Sequence, residues 1–207
     1  MFISVEGLDG SGKTTQYQYL VEFLRQRGYS LTCVREPGGT PIGDQIRDVL
    51  HSLKNAAMHP HTELLLYVAS RAQLVAEVIK PRLAAGDIVL SDRYADSTLA
   101  YQGYGRGLDL ERLHQIVDFA TEGLKPDLTI YLDIDPAQGL ARRQAGADKG
   151  EEWNRLDALA LDFHQRVYRG YQALIAAEPQ RWLVVDALGS VEEVQQRLYQ
   201  ALIPYLP

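Results

Sequence analysis

Two hydrophobic periods alternate along the chain. Residues 2–5, Leu31 to Arg35, Ile88 to Ser91, Leu128 to Asp133 and Trp182 to Asp186 are short runs rich in aliphatic and β-branched residues, the pattern of buried strands. Between them, helical patterns predominate, one beginning near Thr14 and stopping at Gly28. Punctuation agrees with this division. Gly28 and Gly86 stand where helices should end, Asp135-Pro136 supplies an N-cap with a first-turn proline, and Ser190 with Glu193 forms a capping box. Strands separated by helices predict a five-stranded parallel sheet flanked by helices on both faces. Gln144 to Glu152, with two glycines and mixed charges, reads as a mobile excursion between helices. The expectation is a single domain over 1–207 with a short mobile lid at about 142–153.

Composition narrows the function classes. The 207 residues are 46% hydrophobic and 23% charged, enough for a sizeable core, and no apolar run approaches the ~18 residues of a membrane helix. With 21 Lys plus Arg against 27 Asp plus Glu, the net charge is −6, which disfavours a nucleic-acid polymer as partner. The single cysteine, Cys33, has no internal disulfide partner and sits in a strand pattern, where it reads as a small core residue. The first residues carry neither a basic region nor a cleavage pattern, so the expected location is cytoplasmic. His51, His59, His61, His114 and His164 have no metal-ligand spacing.

Gly7-Leu8-Asp9-Gly10-Ser11-Gly12-Lys13-Thr14 fits G-x-x-x-x-G-K-[ST] between a strand pattern and a helix pattern. Glycines let successive backbone N–H groups face phosphate oxygens, and the helix N-terminus favours the anion. Lys13 would bridge β- and γ-phosphates, and the Thr14 hydroxyl would face Mg²⁺. The expected architecture is therefore a three-layer α/β P-loop NTPase fold. Asp133 ends the fourth strand as a Walker B carboxylate would, but Asp92-Arg93-Tyr94 ends the third. In a parallel sheet these residues lie near the phosphate loop. Arg93 is suited to an acceptor phosphate, and Asp92 to orienting water on Mg²⁺. The chain lacks the Asn-Lys-x-Asp guanine motif of GTPases.

Further segments carry a specific resemblance. Glu6 to Thr15, Arg35-Glu36-Pro37-Gly38-Gly39-Thr40, Ser70-Arg71, Asp92-Arg93-Tyr94, Ala100-Tyr101-Gln102-Gly103, Tyr131-Leu132-Asp133 and Arg155-Leu156-Asp157 stand in the order and spacing of bacterial thymidylate kinases. The resemblance implies transfer of the ATP γ-phosphate to dTMP, with Mg²⁺ and a homodimer. It implies an ATP site at Gly7, Leu8, Asp9, Gly10, Ser11, Gly12, Lys13, Thr14 and Thr15, with Arg142 stacked on adenine or paired with phosphate. For dTMP it implies that Tyr67 stacks on thymine and that Arg71 bonds the base edge, typically at O4. Thr98 and Gln102 reach the base, and Tyr101 crowds the sugar 2′ carbon. Asp9 accepts from the 3′-hydroxyl, Glu36 and Pro37 shape the pocket floor, and Arg47 and Arg93 surround the acceptor phosphate.

Gly10 stands where some eukaryotic relatives carry a catalytic arginine, so the lid must supply charge. Arg143 and Lys149 are the expected phosphate ligands there. Arg155 is anchored by Asp157 or contacts the acceptor phosphate. The catalytic set is thus Lys13, Asp92, Arg93, Arg143 and Lys149, with Thr14 and, through water, Asp92 at the metal. Two rivals stand beside this reading: another small P-loop kinase of nucleosides or small metabolites, and a catalytically silent nucleotide-binding regulator.

Overall fold

A computed structural model describes residues 1–150 and 153–207. β1 (Phe2–Gly7) leads through the phosphate loop into α1 (Lys13–Gln26), followed by β2 (Leu31–Arg35), α2 (Pro41–His51), α3 (Pro60–Leu74) and α4 (Lys80–Ala84). Then come β3 (Ile88–Asp92), the short α5 (Ala95–Thr98), a π-helical turn over Leu99–Gly105, α6 (Leu110–Thr121) and β4 (Leu128–Asp133). The chain closes with α7 (Pro136–Ala147), α8 (Leu161–Ala177), β5 (Trp182–Asp186) and α9 (Val191–Leu202). The strands pair in parallel in the order β2-β3-β1-β4-β5.

Burial on both faces explains the apolar runs. Ile3, Val5 and Leu90 pack with Leu20, Leu24 and Leu198 on one side, while Phe2, Val34 and Val89 pack with Leu74, Val75 and Ile79 on the other. The caps form as the sequence suggests. Asp135 accepts from the Ala137 and Gln138 N–H groups, and Ser190 with Glu193 closes a reciprocal box.

Two local expectations change. α7 continues through Ala147, so residues 144–147 are helical, and only the turn at 148–150 follows as loop. Glu151 and Glu152, within the expected lid, lie outside the described residues. Cys33 is exposed rather than core, because β2 is an edge strand beyond full helical cover. The strand beside β1 on the cleft side is β3, so Asp92 occupies the carboxylate position next to the phosphate loop. Burial raises the Asp133 pKa against the lowering influence of the Tyr168 hydroxyl.

Candidate active site

A cleft of about 720 Å³ opens beyond the carboxyl ends of β1, β2 and β3. At one end, Gly10 and Gly12 turn the phosphate loop with φ of 78° and 82°, left-handed values that glycine adopts without steric cost. Gly12 offers α1 no side-chain cap, which leaves the first-turn amides facing the cleft as a phosphate cradle. Gly10 has a second reason to be glycine. A Cβ there would lie 1.9 Å from the backbone oxygen of Gly139 in α7, so loop and helix backbones meet directly. Position 10 has no room for a side chain.

Lys13 opens α1, and its Nζ lies 3.0 Å from Asp92 Oδ1. The register that pairs Val5 with Asp92 brings the two together. Thr14 and Thr15 follow at the exposed start of the helix and line the same cleft. Ser11 is buried beneath the loop.

Arg93 forms the centre of the cleft. Its backbone is left-handed, with φ 70°, a costly conformation for a non-glycine residue that surrounding contacts must hold. Its N–H donates to the Val5 carbonyl, and its own carbonyl accepts from Ser91 Oγ. Next to it, Tyr94 N–H donates to the buried Glu6 carboxylate, which also accepts from Ser97 and Tyr171. The guanidinium donates to the Gly7 carbonyl, Ser97 Oγ, Tyr101 Oη and Asp9, the last at 2.6 Å. Tyr101 in turn donates to Asp9 Oδ2 at 2.9 Å. Burial pushes Asp9 up, but Arg93, Lys13 and the Tyr101 hydroxyl outweigh it and hold the carboxyl below its ordinary value. The donor that a carboxylate beside a phosphate cradle needs is therefore built into the protein.

The other end of the cleft lies between α3 and the α5–π segment. Tyr67 and Arg71 both line it from α3, as their spacing predicts. Arg71 is 1% exposed. Its Nε donates to Glu36 at 2.7 Å, Nη1 to Thr98 Oγ1 at 2.9 Å, and Nη2 to the Tyr94 carbonyl at 3.0 Å. Burial raises the Glu36 pKa against the lowering influence of Arg71. Thr98, Tyr101 and Gln102 line the opposite wall, although residues 99–105 wind as π-helix, with Arg106 N–H donating to the Tyr101 carbonyl. Glu36, Pro37 and Arg47 border the cleft, and Arg47 Nη1 donates to the Pro37 carbonyl.

The basic residues of the expected lid separate into different places. Arg142 and Arg143 line the cleft from α7. Arg142 donates to the Ala187 carbonyl, and Arg143 grips Asp157 through two bonds of 3.0 and 2.9 Å. Asp157 thus anchors Arg143, not Arg155. The Arg155 guanidinium is buried away from the cleft lining, 2.6 Å from Glu63 and bonded to the Leu50 carbonyl. The physical reason is Glu63, a carboxylate with no exposure that would be costly without cations. Lys149 is exposed in the turn after α7 and does not line the cleft.

Motif reading misses Glu63, and it quotes Glu6 in the loop segment without its role as a buried acceptor. Each had a signal. Glu63 is four residues before Tyr67 on the same helix face, and Glu6 is an acid closing an apolar strand run.

The family model described as thymidylate kinase matches residues 5–198. A thymidylate kinase of Roseiflexus sp. (strain RS-1) is 51% identical over 215 residues, spanning 100% of this chain and 95% of that protein. One from Synechococcus sp. (strain JA-2-3B'a(2-13)) is 53% identical over 207 residues, with 100% and 96% covered. The crystal structure of thymidylate kinase from Ehrlichia chaffeensis matches with a TM-score of 0.79 at 31% identity, covering 98% of each chain.

Proposed function

The chain belongs to the thymidylate kinase family, and on that premise we propose that it transfers the γ-phosphoryl group of ATP to dTMP, giving dTDP and ADP, within the cleft described above. One observation carries the assignment of sites. The phosphate loop and the Tyr67–Arg71–Gln102 walls are two ends of one continuous cavity, with Arg93 between them. ATP phosphates take the loop amides, Lys13 and Arg143, while the dTMP base lies between Tyr67, Arg71, Thr98 and Gln102. Arg47 and Arg93 surround the acceptor phosphate. Asp9 serves the sugar 3′-hydroxyl, Tyr101 limits the 2′ side, and Glu36 and Pro37 form the floor.

A phosphate oxygen of dTMP attacks the γ-phosphorus in line as the bond to the β-phosphate oxygen of ADP breaks. Positioning and charge carry such a step. Lys13, Arg93 and Arg143 neutralise negative charge on the transferring group, and Arg142 borders the nucleotide. The 142–153 segment acts as the lid, with Lys149 joining the phosphates on closure. The Thr14 hydroxyl and the Asp92 carboxylate, which stands at the cleft beside Lys13, are hard oxygen donors that suit Mg²⁺. When bound with ATP, Mg²⁺ shields the β- and γ-phosphate charge.

A homodimer belongs to the same reading. It is supported by exposed apolar side chains on neighbouring elements: Ile42 and Val49 on α2, Leu65 on α3, and Phe119, 86% exposed, on α6. A cytoplasmic location follows from the substrates. ADP release measured with dTMP, dUMP, dCMP and dGMP at fixed Mg-ATP tests the assignment. dTMP should give the highest kcat/KM, and preference for another acceptor would refute it.

A further inference from the structure

Glu63, Tyr67 and Arg71 are spaced four residues apart along one face of α3, opposite Thr98 and Gln102. Two rungs join these walls. Arg71 Nη1 donates to Thr98 Oγ1 at 2.9 Å, and Gln102 Nε2 donates to Glu63 Oε1 at 2.9 Å. Tyr67 lies between the rungs on the same helix face.

The direction of the second rung is dictated by chemistry. Arg106 donates to both Glu63 oxygens, at 3.2 and 2.8 Å, and Arg155 Nη2 stands 2.6 Å from Oε2. Burial would raise the Glu63 pKa, but the Arg106 and Gln102 bonds and the two guanidinium charges hold it below the ordinary value. A carboxylate only accepts, so Gln102 must turn its amide nitrogen toward Glu63. The opposite orientation would set two acceptor oxygens 2.9 Å apart. Gln102 lines the cleft, and among the described residues no donor bonds its Oε1. One of the two protons on its nitrogen holds that end of the amide to the wall, and its oxygen is the acceptor left for a ligand.

Arg71 contributes the complementary rule. A guanidinium has donors only, and beyond the bond to Thr98 its Nη1 carries a second proton. The base edge must therefore present a carbonyl to Arg71 and an N–H to Gln102. Thymine and uracil have that pair, an O4 acceptor beside the N3 hydrogen. Cytosine inverts it, with an amino donor at C4 and an unprotonated N3.

We propose that Glu63 is a specificity-determining positioning residue: by holding the Gln102 amide with its oxygen toward the acceptor cleft, it selects a pyrimidine with a ring N–H beside a carbonyl and excludes cytosine. This rests on the assignment of the Gln102 wall to the acceptor base.

The test is kcat/KM for dTMP and dCMP at fixed Mg-ATP in wild type, Glu63→Leu, Glu63→Gln and Gln102→Leu. Removing the acceptor in Glu63→Leu frees the amide to invert, and the dTMP:dCMP ratio should fall about tenfold or more, mainly through KM. Glu63→Gln keeps an acceptor oxygen and should hold the ratio within about threefold of wild type. Loss of packing alone lowers both substrates together and leaves the ratio fixed. An unchanged ratio in Glu63→Leu, with a shifted one in Gln102→Leu, overturns the role of Glu63. An unchanged ratio in Gln102→Leu overturns the base assignment itself, and the proposal with it. Should the Glu63 variants not fold, side-chain amide exchange in the wild-type protein decides by NMR. Gln102 amide protons should be protected relative to exposed glutamine side chains, and free exchange overturns the proposal.

Discussion

Gly10→Ala isolates the contact between the phosphate loop and α7. The new Cβ would meet the Gly139 oxygen at 1.9 Å, whereas real Cβ contacts essentially never fall under 3.0 Å. Opening the difference, 3.0 − 1.9, requires a displacement of about 1.1 Å. Both partners are backbone, so no rotamer change relieves the overlap. α7 carries Arg142 and Arg143 one turn beyond Gly139, and a shift of roughly 1 Å in positioned groups can lower turnover about 10²-fold. The left-handed φ of 78° adds a strain of about 1–2 kcal/mol. Gly12→Ala is the control, because its φ is 82° but nothing lies within 4 Å of its Cβ. In thermal unfolding without nucleotide, Gly12→Ala should lose only the strain, about 2–8 °C for a protein of this size. Gly10→Ala should lose more, and its kcat in a coupled ADP assay should fall about 10²-fold. Equal melting shifts for the two variants, together with a Gly10→Ala kcat within a few-fold of wild type, would refute the reasoning.

Three other outcomes are expected. Burial pushes Glu6 up to about 7 from its ordinary 4.5, so between these values the folded protein holds a proton that the unfolded chain has released, and stability falls as pH rises through that window. The loss is on the order of 3 kcal/mol, and urea unfolding of Glu6→Gln at pH 5 and pH 8 should show a flatter dependence than wild type; equal slopes would count against it. Asp157→Asn weakens the two-bond grip on Arg143 and should lower kcat about tenfold while changing KM for ATP less; the reverse pattern assigns Arg143 to ground-state binding. Tyr101→Phe removes the hydroxyl that bonds Asp9 and Arg93, and discrimination between dTMP and its ribose counterpart should drop; an unchanged ratio removes Tyr101 from sugar selection.

The parts of this molecule legible in the sequence are those governed by local rules. β1, β3 and β4 are buried on both faces and run apolar almost throughout, so they could be read directly, β2 and β5 showed by their β-branched and aromatic residues, and Asp135 and Ser190 cap their helices through atoms only two or three residues away. Tyr67 and Arg71 share a face because four residues make about one turn. Pairing between distant charges has no such rule. Arg155 has Asp157 two residues away, yet Asp157 bonds Arg143 across 14 residues, and Arg155 turns to Glu63. The buried carboxylates choose among the cations the fold brings to them. Strand order was likewise hidden, and with it the edge position that exposes Cys33. The π turn at 99–105 replaces α-helical winding where the chain packs against α8, a tertiary effect that residue spacing does not encode.

Four cations of the cleft are already partnered by the protein's own anions. Lys13 has Asp92, Arg71 has Glu36, Arg93 has Asp9, and Arg143 has Asp157. A polyanionic ligand entering this cleft exchanges one counter-charge for another instead of filling a bare positive well, and the net charge of −6 adds no long-range attraction. Added salt therefore has no long-range attraction to screen, and acceptor affinity should not fall steeply with ionic strength. Recognition is transferred from electrostatic steering to the competition, inside the cleft, between phosphate oxygens and resident carboxylates for the same guanidinium protons.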